Sequence, residues 1–278
     1  MSNRVLTLPC GLERPGGQAI RHVELQRLKG NIQLDIAKLT QQPNVAPADV
    51  IDAILRPAIV RVGDEPISSA LLEKLQLADK DWLLFQTKIL QHGSKVTVSG
   101  VCSHCPKADN ESEYPDFDLE QLKVTPIPEL AKWWDGQALA GSIPAEDPSR
   151  LVYRGFEIRN EELGTVGVFR YPTGYNQRAI SKLGPNHEVE SIWTLMSQTC
   201  LSWTSRDFPQ GVKIPPRGLP MEFWGDLDLS DLEWAQEAWA EAQPGVDTNV
   251  EFECKRGHKF KTLVNAISFF SQRARQKT

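Results

Sequence analysis

The sequence predicts an α+β protein in which one structural unit is used twice. Three observations predict it. Short β-branched segments alternate with segments at helical spacing. That order restarts after a Pro/Gly-rich stretch at residues 124–150. In both halves a strand runs directly into a cysteine-bearing turn. Each lobe is expected to hold a small β-sheet, helices and a strand-borne knuckle. The N-terminal lobe is placed at 1–123, the linker at 124–150 and the C-terminal lobe at 151–278.

In the first lobe, Arg4–Leu8 and Ile20–Leu25 are short and rich in β-branched residues, with Pro9, Gly11 and Pro15 to Gly17 as turn formers between them. From Asn31 to Leu39 the apolar period lengthens, with Ile32, Ile36 and Leu39 on one face. A second helix is expected over Pro47–Leu55. A third helical region covers Ser68–Gln91, broken near Asp79, which has the chemistry of an N-cap. Gly93 suits its C-terminal stop. Lys95–Val101 alternates as a strand and leads into Cys102-Ser-His-Cys105.

Residues 106–120 are acidic and read as a solvated loop, with a basic partner as the alternative. The linker encloses one short helix, Glu129–Ala138, with Trp133 and Trp134 either packed across the lobes or offered to a partner. Leu151–Ile158 and Val166–Arg170 then read as strands, and helices are expected at about 175–184 and 187–202. A Pro/Gly loop runs from Asp207 to Pro220. Ser230 and Glu233 form a capping-box pattern for the next helix, which Pro244-Gly245 ends. Asn249–Glu253 is a strand leading into Cys254-Lys-Arg-Gly-His258. The last helix, Lys261–Arg275, carries Leu263, Ile267, Phe269 and Phe270 as an apolar stripe docked on the core.

The repetition can be followed by position. One offset lays Leu77 on Leu229, Asp79 on Asp231, Trp82 on Trp234, Gly93 on Gly245, Val98 on Val250 and Cys102 on Cys254. A shorter offset lays Gly30 on Gly174, Gln33 on Gln177, Ile36 on Ile180 and Leu39 on Leu183. The loop at 207–220 accounts for the difference. The repeat is far longer than a solenoid unit, so two lobes are expected rather than an array.

Composition narrows the function. The chain has 278 residues, 31 Lys+Arg against 36 Asp+Glu and a net charge of −5, which lacks the basic excess usual in nucleic-acid binders. Eight Trp and ten Phe supply a real core. No signal peptide or membrane span is expected, so a reducing compartment is the default. Five cysteines cannot all pair. In that compartment, cysteines at close spacing read as metal ligands before disulfides.

Cys102, Cys105, Cys254 and His258 make one candidate four-ligand set. Three thiolates and an imidazole suit tetrahedral zinc, and the two-residue gap in the first pair lets one tight turn aim both sulfurs at one ion. One zinc would then join the lobes. Cys105 aligns with Gly257, so the second knuckle places its second ligand one residue later. His104 is a competing ligand, although its place between the cysteines points it elsewhere. A redox role for Cys102 and Cys105 is the weaker alternative, since no helix begins there to lower a thiol pKa. Cys200 is expected in the core, and Cys10, His22, His92 and His187 have no metal partner at suitable spacing. No P-loop, GxGxxG, GxSxG or HExxH motif occurs, which leans away from an enzyme and from a small-molecule substrate.

Several motifs then fall in one order. Asp79-Lys-Asp-Trp-Leu-Leu84 leads through Gly93 to a strand, the CxxC pair and Asp118-Leu-Glu-Gln-Leu122. Phe-Arg-Tyr-Pro-Thr-Gly-Tyr-Asn-Gln follows at 169–177, then Pro-Gly-Val-Asp at 244–247, the second knuckle and Phe269-Phe270. Over about residues 4–272 this resembles the baseplate hub assembly chaperone family of T-even-like contractile-tail phages and related injection systems. His258 departs from a regular fourth cysteine. The resemblance implies a non-enzymatic structural or assembly protein that binds other baseplate, hub or tail proteins. It implies the host cytoplasm during assembly, or the virion. A zinc-ribbon adaptor for nucleic acid or transcription is the rival expectation; it predicts a basic face and salt-dependent binding.

Overall fold

The structure, a computed structural model, describes residues 3–14, 18–40, 42, 45–106, 110–128, 133–136, 151–183, 187–215, 218–267 and 270. It is a mixed α+β fold with several small antiparallel sheets.

The chain opens with β1 (Arg4–Arg14) and β2 (Gln18–Leu25), paired antiparallel. Their register shifts between Thr7 and Leu12, where a bulge takes Cys10 and Gly11 out of the ladder. Two helices follow, α1 (Gly30–Thr40) and α2 (Pro47–Ala58). Pro47 sits at the start of α2, where its missing N–H costs nothing. Val50, Ile51, Ile54 and Leu55 form the buried face. The helix passes straight into β3 (Ile59–Val62), which pairs with β2, and β4 (Glu65–Pro66) completes a sheet ordered β1-β2-β3-β4.

Next come α3 (Ser69–Lys74) and α4 (Leu77–His92). The expected break at Asp79 falls instead at Leu75 and Gln76. There the backbone bonds to the other half of the chain. Leu77 N–H donates to Pro172 O at 2.9 Å, and Gly174 N–H donates to Leu75 O at 2.9 Å. The α4 helix ends at Gly93, as its sequence predicts.

A hairpin follows, β5 (Lys95–Val101) and β6 (Glu111–Asp118). The acidic stretch expected to be a loop is therefore largely a strand. Its charged residues alternate with Ser112 and Tyr114, so the period of two holds, with Glu111 and Glu113 exposed. After β7 (Val124–Thr125), β8 (Trp133–Gly136) replaces the middle of the expected linker helix. Aromatic residues favour extended backbone, and β8 pairs antiparallel with β9 (Leu151–Asn160). The rest of that expected helix lies outside the described residues.

The second sheet is ordered β11-β10-β9-β8. It contains β10 (Thr165–Arg170) and, after α5 (Gly174–Ile180) and α6 (Glu188–Thr199), β11 (Cys200–Thr204). The helix expected to reach residue 202 thus stops at Thr199, where Cys-Leu-Ser-Trp-Thr takes the strand period. The α7 helix (Met221–Gly225) leads to α8 (Leu229–Glu241), whose N-cap position is Asp228 rather than Ser230; no side-chain cap bond forms. The chain closes with β12 (Gly245–Val246), β13 (Asn249–Glu253) and β14 (Lys259–Leu263). The expected terminal helix is corrected at its start: Lys261 to Leu263 belong to β14, because Phe260 faces inward between exposed Lys259 and Lys261. Phe269 and residues 271–275 lie outside the described residues.

The element order β-β-α-α-β-α-α occurs over residues 4–92, apart from β4, and over 151–241; the β5–β6 hairpin follows the first run directly, and the β13–β14 hairpin follows the second after β12. Both first helices start at aligned glycines, Gly30 and Gly174, and both last helices start at aligned leucines, Leu77 and Leu229.

Two cores hold this frame. One gathers β1–β3 and α2–α4 around Leu8, Leu25, Ile54, Leu55 and Leu83. The other packs α6–α8 on β10 and β11 around Phe169, Trp203 and Trp224. The final segment returns to the first core, where Val264 and Ala266 are buried and Val250 and Phe252 pack against it. That return brings the two ends of the chain together. Among the described residues, no helix is long and apolar enough to cross a membrane.

Candidate metal centre

The centre sits at the joined tips of two hairpins. One is β5–β6; the other is β13–β14, paired from Asn249↔Leu263 to Glu253↔Lys259. They pack through aromatic residues. The Tyr114 ring stacks on Phe252 at 4.2 Å, and its hydroxyl donates to Glu253 O at 2.9 Å. On the other edge, Thr262 Oγ1 donates to Ser99 O at 3.5 Å. Gly100 lets Phe260 lie against the β5 backbone; a Cβ there would fall 2.7 Å from the ring.

Each hairpin ends in a tight turn. In the first, Cys102 N–H donates to Asn110 O at 2.8 Å and Cys105 N–H donates to Cys102 O at 3.4 Å. In the second, Cys254 N–H donates to His258 O at 2.9 Å and Gly257 N–H donates to Cys254 O at 2.8 Å. Gly257 has φ of +81°, in the left-handed region. That residue lets the second turn close and sets His258, rather than residue 257, beside Cys254.

The turns converge four donor atoms. Cys105 Sγ is 3.7 Å from Cys254 Sγ and 3.4 Å from His258 Nδ1. His258 Nδ1 is 3.7 Å from Cys254 Sγ and 4.0 Å from Cys102 Sγ. All four atoms lie within 4.8 Å of one another. Bond lengths of about 2.3 Å to sulfur and 2.0–2.1 Å to nitrogen give tetrahedral edges of about 3.6–3.8 Å. The observed spacings bracket that range, so the four side chains could hold one metal ion. The thiols are buried and His258 is half-buried, as suits a closed site. His104 is exposed and stands outside the set, its ring 5.6 Å from that of His258.

The thiols are electrostatically unequal. Burial and the neighbouring Cys254 and Cys102 push Cys105 up to about 11. Burial also opposes ionisation of Cys254, but bonds from the Arg256 and His258 backbones hold it below its ordinary value. The neighbouring sulfurs thus make Cys105 costly to ionise, which a bound cation would offset.

No family model, curated protein or solved structure matches this chain. The site's geometry stands on its own.

The remaining cysteines are apart from the centre. Cys200 is fully buried, as expected, and burial raises its thiol above the ordinary range. Cys10 is also buried and raised, first by burial and then by Asp79. Neither has the depressed pKa of a reactive thiol.

One polar centre was not anticipated. Asp79 is fully buried and accepts the Cys10 N–H at 2.8 Å and the Gly11 N–H at 2.7 Å, both freed by the β1 bulge. Arg154, on β9 of the other half, donates to Gly11 O at 2.9 Å and Glu13 at 3.3 Å. Beside it, Lys80 Nζ is 2.7 Å from Asp52, which also takes Arg178 at 2.9 Å. The halves are thus interlocked by polar contacts that involve none of the four candidate ligands. Asp79 was legible only as a cap candidate, because the partner amides come from a bulge that strand patterning does not reveal.

Proposed function

We propose that this chain is a non-enzymatic adaptor whose fold is clamped by one zinc, and that it serves in building a contractile-tail baseplate or hub. The observation that carries the clamp is the convergence of Cys102 and Cys105 with Cys254 and His258, from opposite halves of the chain, onto four corners of one site. Zinc is the metal this donor set favours, since it binds thiolate and imidazole without redox chemistry and prefers four ligands. Bound there, it would fix the two hairpins tip to tip and hold a constant surface toward partners.

The two halves are read as a duplicated unit. The shared element order and the aligned helix starts support that reading. On it, each copy ends in one knuckle, and the zinc joins the copies.

The tail assignment rests on the order of motifs along the sequence. Its partners would be other baseplate, hub or tail proteins, met in the host cytoplasm during assembly or kept in the particle. The test is genetic and visual. Deleting the gene and examining lysates by electron microscopy should show tails without complete baseplates. Normal tails in the deletion strain would overturn the assignment.

Paired hairpins with two ligands at each tip are also the layout of a zinc ribbon, and Lys255, Arg256 and Lys259 are exposed at the second tip. That favours, as a second reading, a nucleic-acid adaptor. Binding to duplex or single-stranded DNA that weakens steeply with salt would support it.

A further inference from the structure

The α4 helix is enclosed on several sides, by β1, α2 and β12. Successive helical residues point about 100° apart, so neighbours along α4 face different surroundings. Asp79 meets the bulge amides of β1. Lys80 turns to Asp52 on α2. Asp81, next in line, lines a cleft of about 250 Å³ between α4 and the returning C-terminal segment.

This cleft has a distinctive chemistry. Ile51 and Leu84 line one side, and Val246, Ala266 and Ile267 line the other. Asp81 brings a carboxylate to these apolar side chains, and Thr248 and Asn265 are the other polar residues of the lining. Among the described residues, Asp81 makes no hydrogen bond or ion pair, whereas Asp79 has two amides and Asp52 two cations. The nearest cation, Lys80, is already engaged by Asp52 at 2.7 Å. Burial raises the Asp81 carboxyl to about 6, against the pull of Lys80. It is therefore ionised near pH 8, and among the described residues no cation is paired with it. The groove beside α1 and α2, at about 660 Å³, is larger but carries Asp35 together with Lys38 and Arg56, so its charge selects no one ligand.

The geometry points to a receptor for one lysine or arginine side chain of a partner protein, its aliphatic stem against the apolar walls and its charged end on Asp81. A long basic side chain has that division, apolar along its length and cationic at its tip. The volume lies below the usual range for drug-sized ligands, about 300–1,000 Å³, and suits a single side chain. Charge complementarity thus selects a basic anchor over an apolar one. The inference rests on the adaptor reading for the existence of a partner.

The test uses the full chain, methyl-labelled, in NMR titrations near pH 8 with n-butylguanidinium chloride and with n-butanol. The cation should shift the methyl signals of Ile51, Leu84 and Ile267 with at least about tenfold higher affinity than the alcohol. Asp81→Asn should remove that preference, and Ala266→Leu, which fills the cleft, should weaken both ligands. If Asp81→Asn does not fold, the two ligands on the wild-type chain and on Ala266→Leu decide the matter. Equal binding of cation and alcohol, a preference retained by Asp81→Asn, or no shift at these methyls would overturn the inference. Such a failure leaves the baseplate reading intact, and normal tails in the deletion strain would leave the cleft result intact.

Discussion

Cys105 Sγ lies 3.7 Å from Cys254 Sγ, although 149 positions separate the two residues. Closing a loop of that length costs conformational entropy that two thiols in contact do not offset. What brings them together is the return of β13 and β14 to the first core, with Val264 and Ala266 buried there. A metal at the tips would then lock a junction that packing has already formed.

Chelation should therefore loosen the hairpins without unfolding the whole chain. Neither core includes any of the four candidate ligands, so a dialysed, metal-free sample should keep most of its far-UV circular dichroism. Amide exchange should rise in Lys95–Val101 and Asn249–Leu263. A fall in melting temperature of at least about 5 °C is expected, corresponding to a loss of roughly 2 kcal/mol in a chain of this size. Unchanged exchange in both hairpins would contradict the clamp.

Gly257→Ala should impair the second knuckle. Its φ of +81° is unfavourable for a residue with a Cβ, by roughly 1–2 kcal/mol. The measurement is a competition titration with a chromophoric chelator, in which the variant should release metal at lower chelator concentration. The space around the site is open, with Glu253 Oε1 at 3.8 Å from the built Cβ, so the backbone and not a clash is tested.

Asp79→Ala should destabilise the chain by about 2–4 kcal/mol, because it leaves the buried Cys10 and Gly11 amides without an acceptor. Urea denaturation measures this. A loss below about 1 kcal/mol would mean that water replaces the carboxylate.

The same network sets a pH dependence. Burial raises Asp79 to about 6 and Glu13 to about 7, with Arg154 and the bulge amides only partly opposing it. The folded chain thus holds these protons more tightly than the unfolded one. Their contribution to stability is full below about pH 4 and declines as pH rises to about 7. Asp79→Asn and Glu13→Gln should flatten that part of the stability–pH curve. A slope unchanged in both variants would contradict the assignment.

Gly174→Ala should disturb the junction between the halves. A Cβ there would fall 2.4 Å from Leu72 O and 3.1 Å from Lys80 Nζ, where backbone cannot yield cheaply. Lower thermal stability is expected, together with faster exchange at Leu77 and Gly174, whose amides cross the junction.

Local features of this fold were legible from sequence where one rule governed. The 3.6 and 2.0 periods gave α1, α2, β5 and β13, and the knuckle spacing gave all four candidate ligands. The failures share a cause. Asp79 and the linker helix were read from local propensity, but long-range backbone pairing decided them. Trp133 and Trp134 became β8 because β9 offered an open edge, and the helix broke at Leu75 and Gln76 because Pro172 and Gly174 offered backbone bonds. Asp81 belongs to the Asp79–Leu84 motif, but nothing in the sequence marks it as lining a cleft; the return of residues 246–267 builds that cleft around it.

One zinc is proposed to join two hairpins from opposite halves of the chain. Plasma mass spectrometry on protein purified without chelator tests it most directly, with Cys105→Ser and Cys254→Ser measured in parallel. About one zinc per chain is expected, lost in both variants although the mutations lie in different hairpins. Zinc well below one per chain, or zinc retained when Cys254 is replaced, would contradict it.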